Sequence, residues 1–170
     1  MVAKILISSC LLGAPVRYNG SAKTLVHDAI DRWHGEGRLV PVCPEVSAGL
    51  PIPRPPAEIE QGYSGTDVLV RTARIVENTG RDVSDEFLCG AQNALALANT
   101  HNCRFALLTD GSPSCGSSFI YNGQFTGTRH RGVGATVALL QNHGITVFAN
   151  TPDGIAHLEQ ALIKQDDALI

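Results

Sequence analysis

The stretch Lys4-Ile-Leu-Ile-Ser-Ser-Cys10 is an apolar run that ends in a cysteine, and it sets a pattern that recurs along the chain. Two further apolar runs, Arg38-Leu-Val-Pro-Val42 and Phe105-Ala-Leu-Leu-Thr109, are also followed by cysteines, Cys43 directly and Cys115 after a short loop. Runs of this length are typical of buried strands. If they are neighbouring parallel strands, the three thiols converge at the carboxyl edge of the sheet, where open α/β sheets bind ligands.

Apolar residues at helical spacing alternate with these strand-like runs. They predict helices over 21–33 with Ser21 as N-cap, over 82–99, from Val133 to a stop at Gly144, and after Thr151-Pro152, with a fourth strand-like run at Ile145–Ala149. Such alternation is typical of a parallel sheet flanked by helices. The predicted fold is therefore α/β: a single domain over residues 1–170, with an open, mostly parallel sheet in Rossmann-like or flavodoxin-like layers.

Two connecting segments carry their own signals. The run Phe119-Ile-Tyr-Asn-Gly-Gln-Phe125 predicts a small β-hairpin that turns at Asn122-Gly123, because both turn residues tolerate positive φ. Six of the nine prolines fall between Pro41 and Pro56. Proline fixes φ and lacks a backbone N–H, so this segment is predicted to be an irregular, stiff connection.

The charge balance and the cysteine count exclude several classes of protein. Thirteen basic and sixteen acidic residues give a formal net charge of −3, which offers no basic field for a nucleic-acid backbone. No apolar run approaches the length of a membrane span, and no signal segment is recognised. Five cysteines, an odd number, do not suggest a disulfide framework. We therefore expect a cytoplasmic protein that acts on a small substrate and uses its cysteines for metal binding or packing.

Cys10, Cys43 and Cys115 form the candidate site. Thiolates are soft ligands that suit zinc and iron–sulfur centres. A structural metal site is usually closed by four protein ligands, whereas three leave a position for water or substrate, so the pattern indicates an enzyme. The alternative for each cysteine is burial as a small hydrophobic residue.

Two polar residues accompany these cysteines. Glu45 follows Cys43 by two positions, and residues two apart in an extended chain point the same way. Its carboxylate can then reach what a metal binds and act as a general base; otherwise it is a solvated loop residue. Ser112 lies three residues before Cys115, where an ST-turn or a cap is its more ordinary role.

The other candidates carry weaker signals. Arg17 can bind an anionic or carbonyl group, or cap a neighbouring helix. Cys89, inside the second predicted helix, and Cys103, at the start of the third strand, are expected to be buried for packing. His130 stands alone in a segment predicted to be a solvated loop, and the six histidines show no metal-ligand spacing.

Three spaced strings together resemble the thiouracil desulfidase family. They are Ser9-Cys-Leu-Leu-Gly13 with Arg17-Tyr-Asn-Gly20, Pro41-Val-Cys-Pro-Glu-Val46 running into Gly49-Leu-Pro-Ile-Pro-Arg-Pro-Pro-Ala-Glu58, and Gly111-Ser-Pro-Ser-Cys-Gly116 with Ile120-Tyr-Asn-Gly123. The resemblance spans nearly the whole chain, and three motifs in the same order are far more specific than any one of them.

The resemblance implies a cofactor, a reaction and roles for five residues. It implies that Cys10, Cys43 and Cys115 bind a [4Fe–4S] cluster through three irons and leave the fourth open. Glu45 and Ser112 match the positions of the family's catalytic residues. The implied reaction is non-redox desulfidation, in which the thiocarbonyl of a thiolated pyrimidine becomes a carbonyl and hydrogen sulfide is released.

The chain departs from the family pattern at Gly132-Val-Gly-Ala-Thr136, where the family has Gly-Val-Thr-Ala-Ala, and at Ala48-Gly49, where it has Gly-Gly. The first departure is expected to affect the mouth of the site, and it leaves the identity of the thio-compound open. Two other functions stay open as well. One is a small structural zinc-binding domain without catalysis, and the other is a redox enzyme that uses a cluster for electron transfer, a role that three ligands suit poorly.

Overall fold

The structure is a computed structural model that describes residues 2–170. In chain order the strands are β1 (Lys4–Ser8), β2 (Leu39–Val42), β3 (Ala57–Ile59), β4 (Ile75–Glu77), β5 (Cys103–Leu108), β6 (Phe119–Tyr121), β7 (Arg129–Arg131) and β8 (Thr146–Ala149). The helices are α1 (Asp28–Gly35), α2 (Pro44–Ser47), α3 (Gly65–Leu69), α4 (Ser84–Thr100), α5 (Ala135–Asn142) and α6 (Pro152–Asp167). Each helix of the described chain is too short or too polar to cross a bilayer.

A parallel four-stranded sheet in the order β2-β1-β5-β8 forms the centre of the molecule. Strand β1 lies inside it, and Ile5, Leu6 and Ile7 are fully buried. A strand covered on both faces needs apolar residues at every position, which explains the unbroken apolar run. The predicted α/β fold with an open parallel sheet is confirmed.

Helices cover both faces of this sheet. On one face, Ile5 and Ile7 belong to a buried cluster with Trp33 of α1 and Leu158 of α6. On the other face, Leu6 and Ala106 cluster with buried residues of α4 and α5, including Ala94 and Val137. This alternation of strand and helix gives the doubly wound arrangement that leaves the carboxyl edge of the sheet free to bind a ligand.

Two small antiparallel sheets, β3–β4 and β6–β7, supplement the central sheet. The hairpin predicted over 119–125 is wrong in its second strand, because Phe119–Tyr121 pairs with Arg129–Arg131 across a seven-residue loop. Gly123 has φ +90°, as a turn glycine should, but its N–H donates to Glu58 Oε1 at 2.9 Å. The loop is thus fixed by a contact with β3 that local sequence does not reveal.

The helix predicted over 21–33 is shorter than expected, since α1 begins only at Asp28. Before it the chain runs beside the 3₁₀ turn at Ser9–Leu12, where Lys23 N–H donates to Cys10 O and Leu25 N–H to Leu11 O. Those bonds replace helical ones. Val26 is consequently 88% exposed rather than buried.

The proline-rich segment contains more regular structure than predicted. Pro44 opens the single-turn helix α2, a position where its missing N–H costs nothing. The segment also begins inside β2, which contains Pro41, and β3 follows directly after Pro56.

Candidate active site

The three cysteines singled out in the sequence line one cavity of about 480 Å³ at the carboxyl edge of the central sheet. Cys10 lies in the 3₁₀ turn that follows β1, and its thiol is 3.4 Å from Oγ1 of Thr109, the residue directly after β5. Cys43 directly follows β2 as the N-cap of α2. Cys115 lies in the loop after β5 and is 4% exposed. The order of the strands brings these distant parts of the chain together.

The loop that carries Cys115 is held by Ser112. The Ser112 hydroxyl accepts hydrogen bonds from the N–H groups of Ser114 (3.0 Å) and Cys115 (3.2 Å), the ST-turn expected of such a string. The same hydroxyl donates to Glu45 Oε1 at 3.3 Å. Ser112 therefore shapes the loop and also contacts the carboxylate.

Glu45 lies against the thiols with 9% of its surface exposed. Its Oε2 is 3.5 Å from Cys43 Sγ. The reason differs from the one given by the sequence, because Glu45 is not in an extended chain. Cys43 is extended, and Pro44 then starts a helical turn that places Glu45 at its second position, beside the thiol.

The electrostatic environment opposes free thiolates at this site. Burial first, and then the charge of Glu45, raise the pKa of Cys43 to about 11. The same two causes raise the pKa of Cys115 well above its ordinary value. Without a cationic partner both side chains therefore hold their protons, and coordination to a metal centre would reverse that balance.

The side chains that line the cavity fit an iron–sulfur centre by their chemistry. Cys10, Cys43 and Cys115 all line it, and thiolates are the ligands that such centres use. Among residues 2–170, no compact group of three or more His, Cys, Asp or Glu side chains that could hold a single metal ion is found.

The departure at Gly132–Thr136 lies behind the Cys115 loop rather than at the cavity mouth. The Thr136 hydroxyl is hydrogen-bonded to the Ser114 hydroxyl at 2.7 Å, and both side chains are fully buried. A Cβ at position 134 would lie 2.4 Å from the Ser114 carbonyl. Glycine there allows the loop to pack against the start of α5.

Of the remaining candidates, only Arg17 lines the cavity, whereas Cys89, Cys103 and His130 do not. Cys103 is buried, as expected, but Cys89 is exposed, because α4 turns Phe87 and Ala91 toward the protein interior instead. His130 belongs to β7 and is partly buried, so the solvated-loop prediction is wrong. Arg17 lines the cavity and contacts Ser21 Oγ at 3.4 Å.

The sequence did not reveal the wall contributed by β3 and β4. Glu58 and Glu77 come from these strands and line the cavity, as does Phe87 from α4. Both strands are three residues long, too short for a periodic signal. The sequence around Glu58 and Glu77 therefore shows no pattern that would predict their position in the cavity.

Comparison with known proteins gives three matches. The family model for 2-thiouracil desulfurase matches residues 5–151. The chain is 45% identical over 147 residues to the uncharacterized protein YbbK of Bacillus subtilis (strain 168), covering 85% of this chain and 94% of that protein. A solved structure described as the [4Fe-4S]-dependent thiouracil desulfidase TudS superposes with a TM-score of 0.84 and 48% identity, over 94% of this chain and 97% of that chain.

Proposed function

Because the chain belongs to the 2-thiouracil desulfurase family, we propose that it is a [4Fe–4S]-dependent desulfidase that converts the thiocarbonyl of a thiouracil-type pyrimidine into a carbonyl. Residues 1–170 form one iron–sulfur desulfidase domain in this proposal. The observation that carries it is the convergence of three thiols, one carboxylate and one hydroxyl on a single cavity. The substrate is a small thiolated pyrimidine, with no nucleic acid or membrane involved.

In this proposal Cys10, Cys43 and Cys115 hold the cluster, one thiolate to each of three irons. When bound, a cluster with its fourth iron free of protein ligands supplies a soft Lewis acid for the sulfur of the substrate. The donor set fits, because all three thiols face the cavity and no fourth cysteine of the described chain lines it. Cys89 and Cys103 take no part.

Glu45 is proposed as the general base. Its carboxylate lies beside Cys43 and is oriented by the Ser112 hydroxyl, so it can take a proton from a water that attacks the thiocarbonyl carbon. The carbon–sulfur bond breaks as the carbon–oxygen bond forms, and sulfur leaves as hydrogen sulfide. Water and thioamide give carbonyl and sulfide, so no external oxidant or reductant is needed. That balance distinguishes the proposal from an electron-transfer role.

The proposal is tested with anaerobically reconstituted protein. We expect a brown protein that contains iron and acid-labile sulfide and that releases sulfide from a panel of thiouracils and thiolated nucleosides. Alanine at Cys10, Cys43 or Cys115 should abolish both iron binding and sulfide release. A colourless protein that holds zinc, or an iron-loaded protein inactive on every thio-compound, would contradict it.

Cys89→Ala and Cys103→Ala are the matched controls. Neither thiol lines the cavity, so both variants should keep wild-type iron content and turnover. Loss of the buried Cys103 sulfur should lower the free energy of unfolding by about 1 kcal/mol, whereas the exposed Cys89 should tolerate the change. If either variant lost the cluster, that thiol would be a fourth ligand and the iron would not be open.

A further inference from the structure

Glu77, the last residue of β4, is a largely buried acidic residue whose side-chain oxygens accept no hydrogen bond. It is 5% exposed and lines the same cavity as the thiols. No N–H or O–H group within residues 2–170 lies in hydrogen-bond range of its side-chain oxygens, and Arg81 Nη1 is 3.6 Å away. Arg81 itself is largely exposed and donates to Glu86 at 2.9 Å. The Glu77 oxygens are not fully enclosed, so a ligand in the cavity can reach them and supply a donor.

The other acidic side chains of the cavity differ from Glu77 in this respect. Asp110 accepts bonds from several backbone N–H groups of the following loop. Glu58 Oε1 accepts from two backbone N–H groups of the loop between β6 and β7. Glu45 accepts from Ser112. Glu77 therefore differs from these three residues in that neither of its side-chain oxygens accepts a hydrogen bond, so both are available to a ligand.

The position of Glu77 relates it to the reacting groups. Its ladder partner on β3 is Ala57, which lines the cavity too, so this face of the small sheet is turned toward the cavity. Phe87 of α4 lies on the same wall and is 4% exposed. One helical turn later, Gly90 packs so closely on Pro44 that an added Cβ would lie 2.4 Å from the Pro44 carbonyl oxygen. Pro44 directly precedes Glu45. Helix α4 therefore connects the part of the cavity wall that contains Glu77 with the part that contains Glu45.

We propose that Glu77 accepts a hydrogen bond from a ring N–H of the substrate and thereby selects cyclic thioamides and thioureides that carry an unsubstituted ring nitrogen. The inference rests on the proposed function and names the residue that recognises the edge of the substrate ring through a hydrogen bond. A thiouracil ring is flat and apolar on its faces, which suits a wall that includes Phe87. Its N–H groups can only donate hydrogen bonds. The Glu77 carboxylate can only accept them, and it accepts none from the protein.

Methylation of the substrate provides the test. Thiouracils methylated at N1 or at N3 are compared with the parent compound by their kcat/KM for sulfide release. With the wild-type enzyme, methylation at one of the two nitrogens should lower kcat/KM by about 10- to 100-fold, the range of a hydrogen bond to a charged group. In Glu77→Gln that ratio should fall below about 3-fold, because the neutral amide oxygen accepts only an ordinary hydrogen bond in place of the charge-assisted one.

Arg81→Gln is the matched control, since it removes the long ion pair of Glu77 and leaves the carboxylate in place. It should keep the wild-type ratio. If Glu77 had only a structural role, Glu77→Gln would lower turnover of parent and methylated substrates equally and leave the ratio unchanged, and that result would overturn the inference. Glu77→Asp, which keeps the charge but withdraws it by one methylene, serves if the amide variant does not fold.

A binding measurement separates this inference from the proposed function. Uracil, 1-methyluracil and 3-methyluracil contain no sulfur, so their calorimetric dissociation constants for the loaded protein do not depend on desulfidation. We expect the same preference for the N–H compound and the same loss in Glu77→Gln. If no thio-compound releases sulfide while uracil shows this pattern, the function fails and the assignment of Glu77 stands. If sulfide is released but neither methylation nor Glu77→Gln changes selectivity, the assignment of Glu77 fails.

Discussion

Glu45, the proposed general base, has two properties that suit this role. It is nearly buried, and its two oxygens contact different partners, Cys43 Sγ at 3.5 Å and Ser112 Oγ at 3.3 Å. Its charge also contributes to the raised pKa of Cys43. Removing that charge eases thiolate formation at Cys43, so loss of the proposed base is not expected to cause loss of the cluster.

Glu45→Gln should retain iron and lose most desulfidation. The amide preserves the shape of the side chain but cannot take a proton, and general acid–base groups typically contribute about 10²–10⁴-fold. Iron content, the visible spectrum and the rate of sulfide release are measured on the same preparation. Glu86→Gln, on α4 outside the cavity, should match wild type in all three. Wild-type turnover in the Glu45 variant at equal iron content would show that the proton goes elsewhere.

The residues that sequence reasoning found and missed differ in how local their signal is. Cys43 and Glu45 adjoin a strand-like run and a proline, so their placement follows from a few neighbours. Glu77 becomes noticeable only through its pairing opposite Ala57 and because its nearest cation, Arg81 Nη1, is 3.6 Å away, beyond hydrogen-bond distance. Both are tertiary facts. A sequence can show that a carboxylate is present, but not that its oxygens accept no hydrogen bond.

At the level of elements, two of the errors arise where a distant segment competes for backbone hydrogen bonds. The chain before α1 bonds to the 3₁₀ turn after β1, and this contact overrides the helical spacing of its apolar residues. The loop after β6 bonds to Glu58 instead of turning at once. By contrast α6 begins where predicted, because Thr151 and Pro152 supply the cap and the first turn locally.

The contact between α4 and α2 gives a prediction at this scale. Gly90→Ala should lower the free energy of unfolding by about 1–3 kcal/mol, because its Cβ would overlap the Pro44 carbonyl unless α2 shifts. A shift of α2 also moves Cys43 and Glu45, so iron loading and turnover should fall as well. Urea unfolding and iron quantitation measure the two effects.

Gly35→Ala is the control for that substitution. Gly35 closes α1 without a positive φ, and no atom outside its own helix lies within 4 Å of the added Cβ. Alanine there should be neutral or slightly stabilising, because it restricts the unfolded chain. Equal effects at positions 35 and 90 would mean that the helices separate easily and that α2 does not depend on α4.

For the molecule as a whole, the strand order decides where chemistry is possible. The order β2-β1-β5-β8 brings the carboxyl ends of β1, β2 and β5 side by side, and each is followed by one of the three cysteines. Asp110 ties the loop after β5 into this edge. Its N–H donates to Asn150 Oδ1 after β8, and its carboxylate accepts from the Ser118 hydroxyl and from backbone N–H groups at Ser117, Ser118 and Phe119.

These bonds make stability depend on pH through Asp110. Burial by itself raises the pKa of this carboxyl, but the Ser118 hydroxyl and the three N–H groups outweigh it and hold the pKa below its ordinary value. A carboxyl with a lower pKa in the folded than in the unfolded chain stabilises the fold above its unfolded pKa of about 3.9. That contribution is lost as the pH falls through the lower, folded value.

Asp110→Asn should therefore be less stable than wild type by about 1–3 kcal/mol at pH 7. The charged acceptor of several hydrogen bonds is replaced by an amide, whose NH₂ group faces the same N–H and O–H donors and cannot accept from them. The difference in urea midpoint should shrink as the pH falls below about 4, because the unfolded wild-type chain takes up a proton there first and the folded carboxylate takes one up at lower pH. Asp167→Asn, at an exposed position at the end of α6, should match wild type at every pH. Comparing variant with wild type at each pH cancels the effect of acid on any bound cluster, which both proteins share. The difference in urea midpoint between Asp110→Asn and wild type could instead stay constant from pH 7 to pH 3. That result would mean that the substitution acts through shape alone, and that the Cys115 loop does not depend on a charged Asp110.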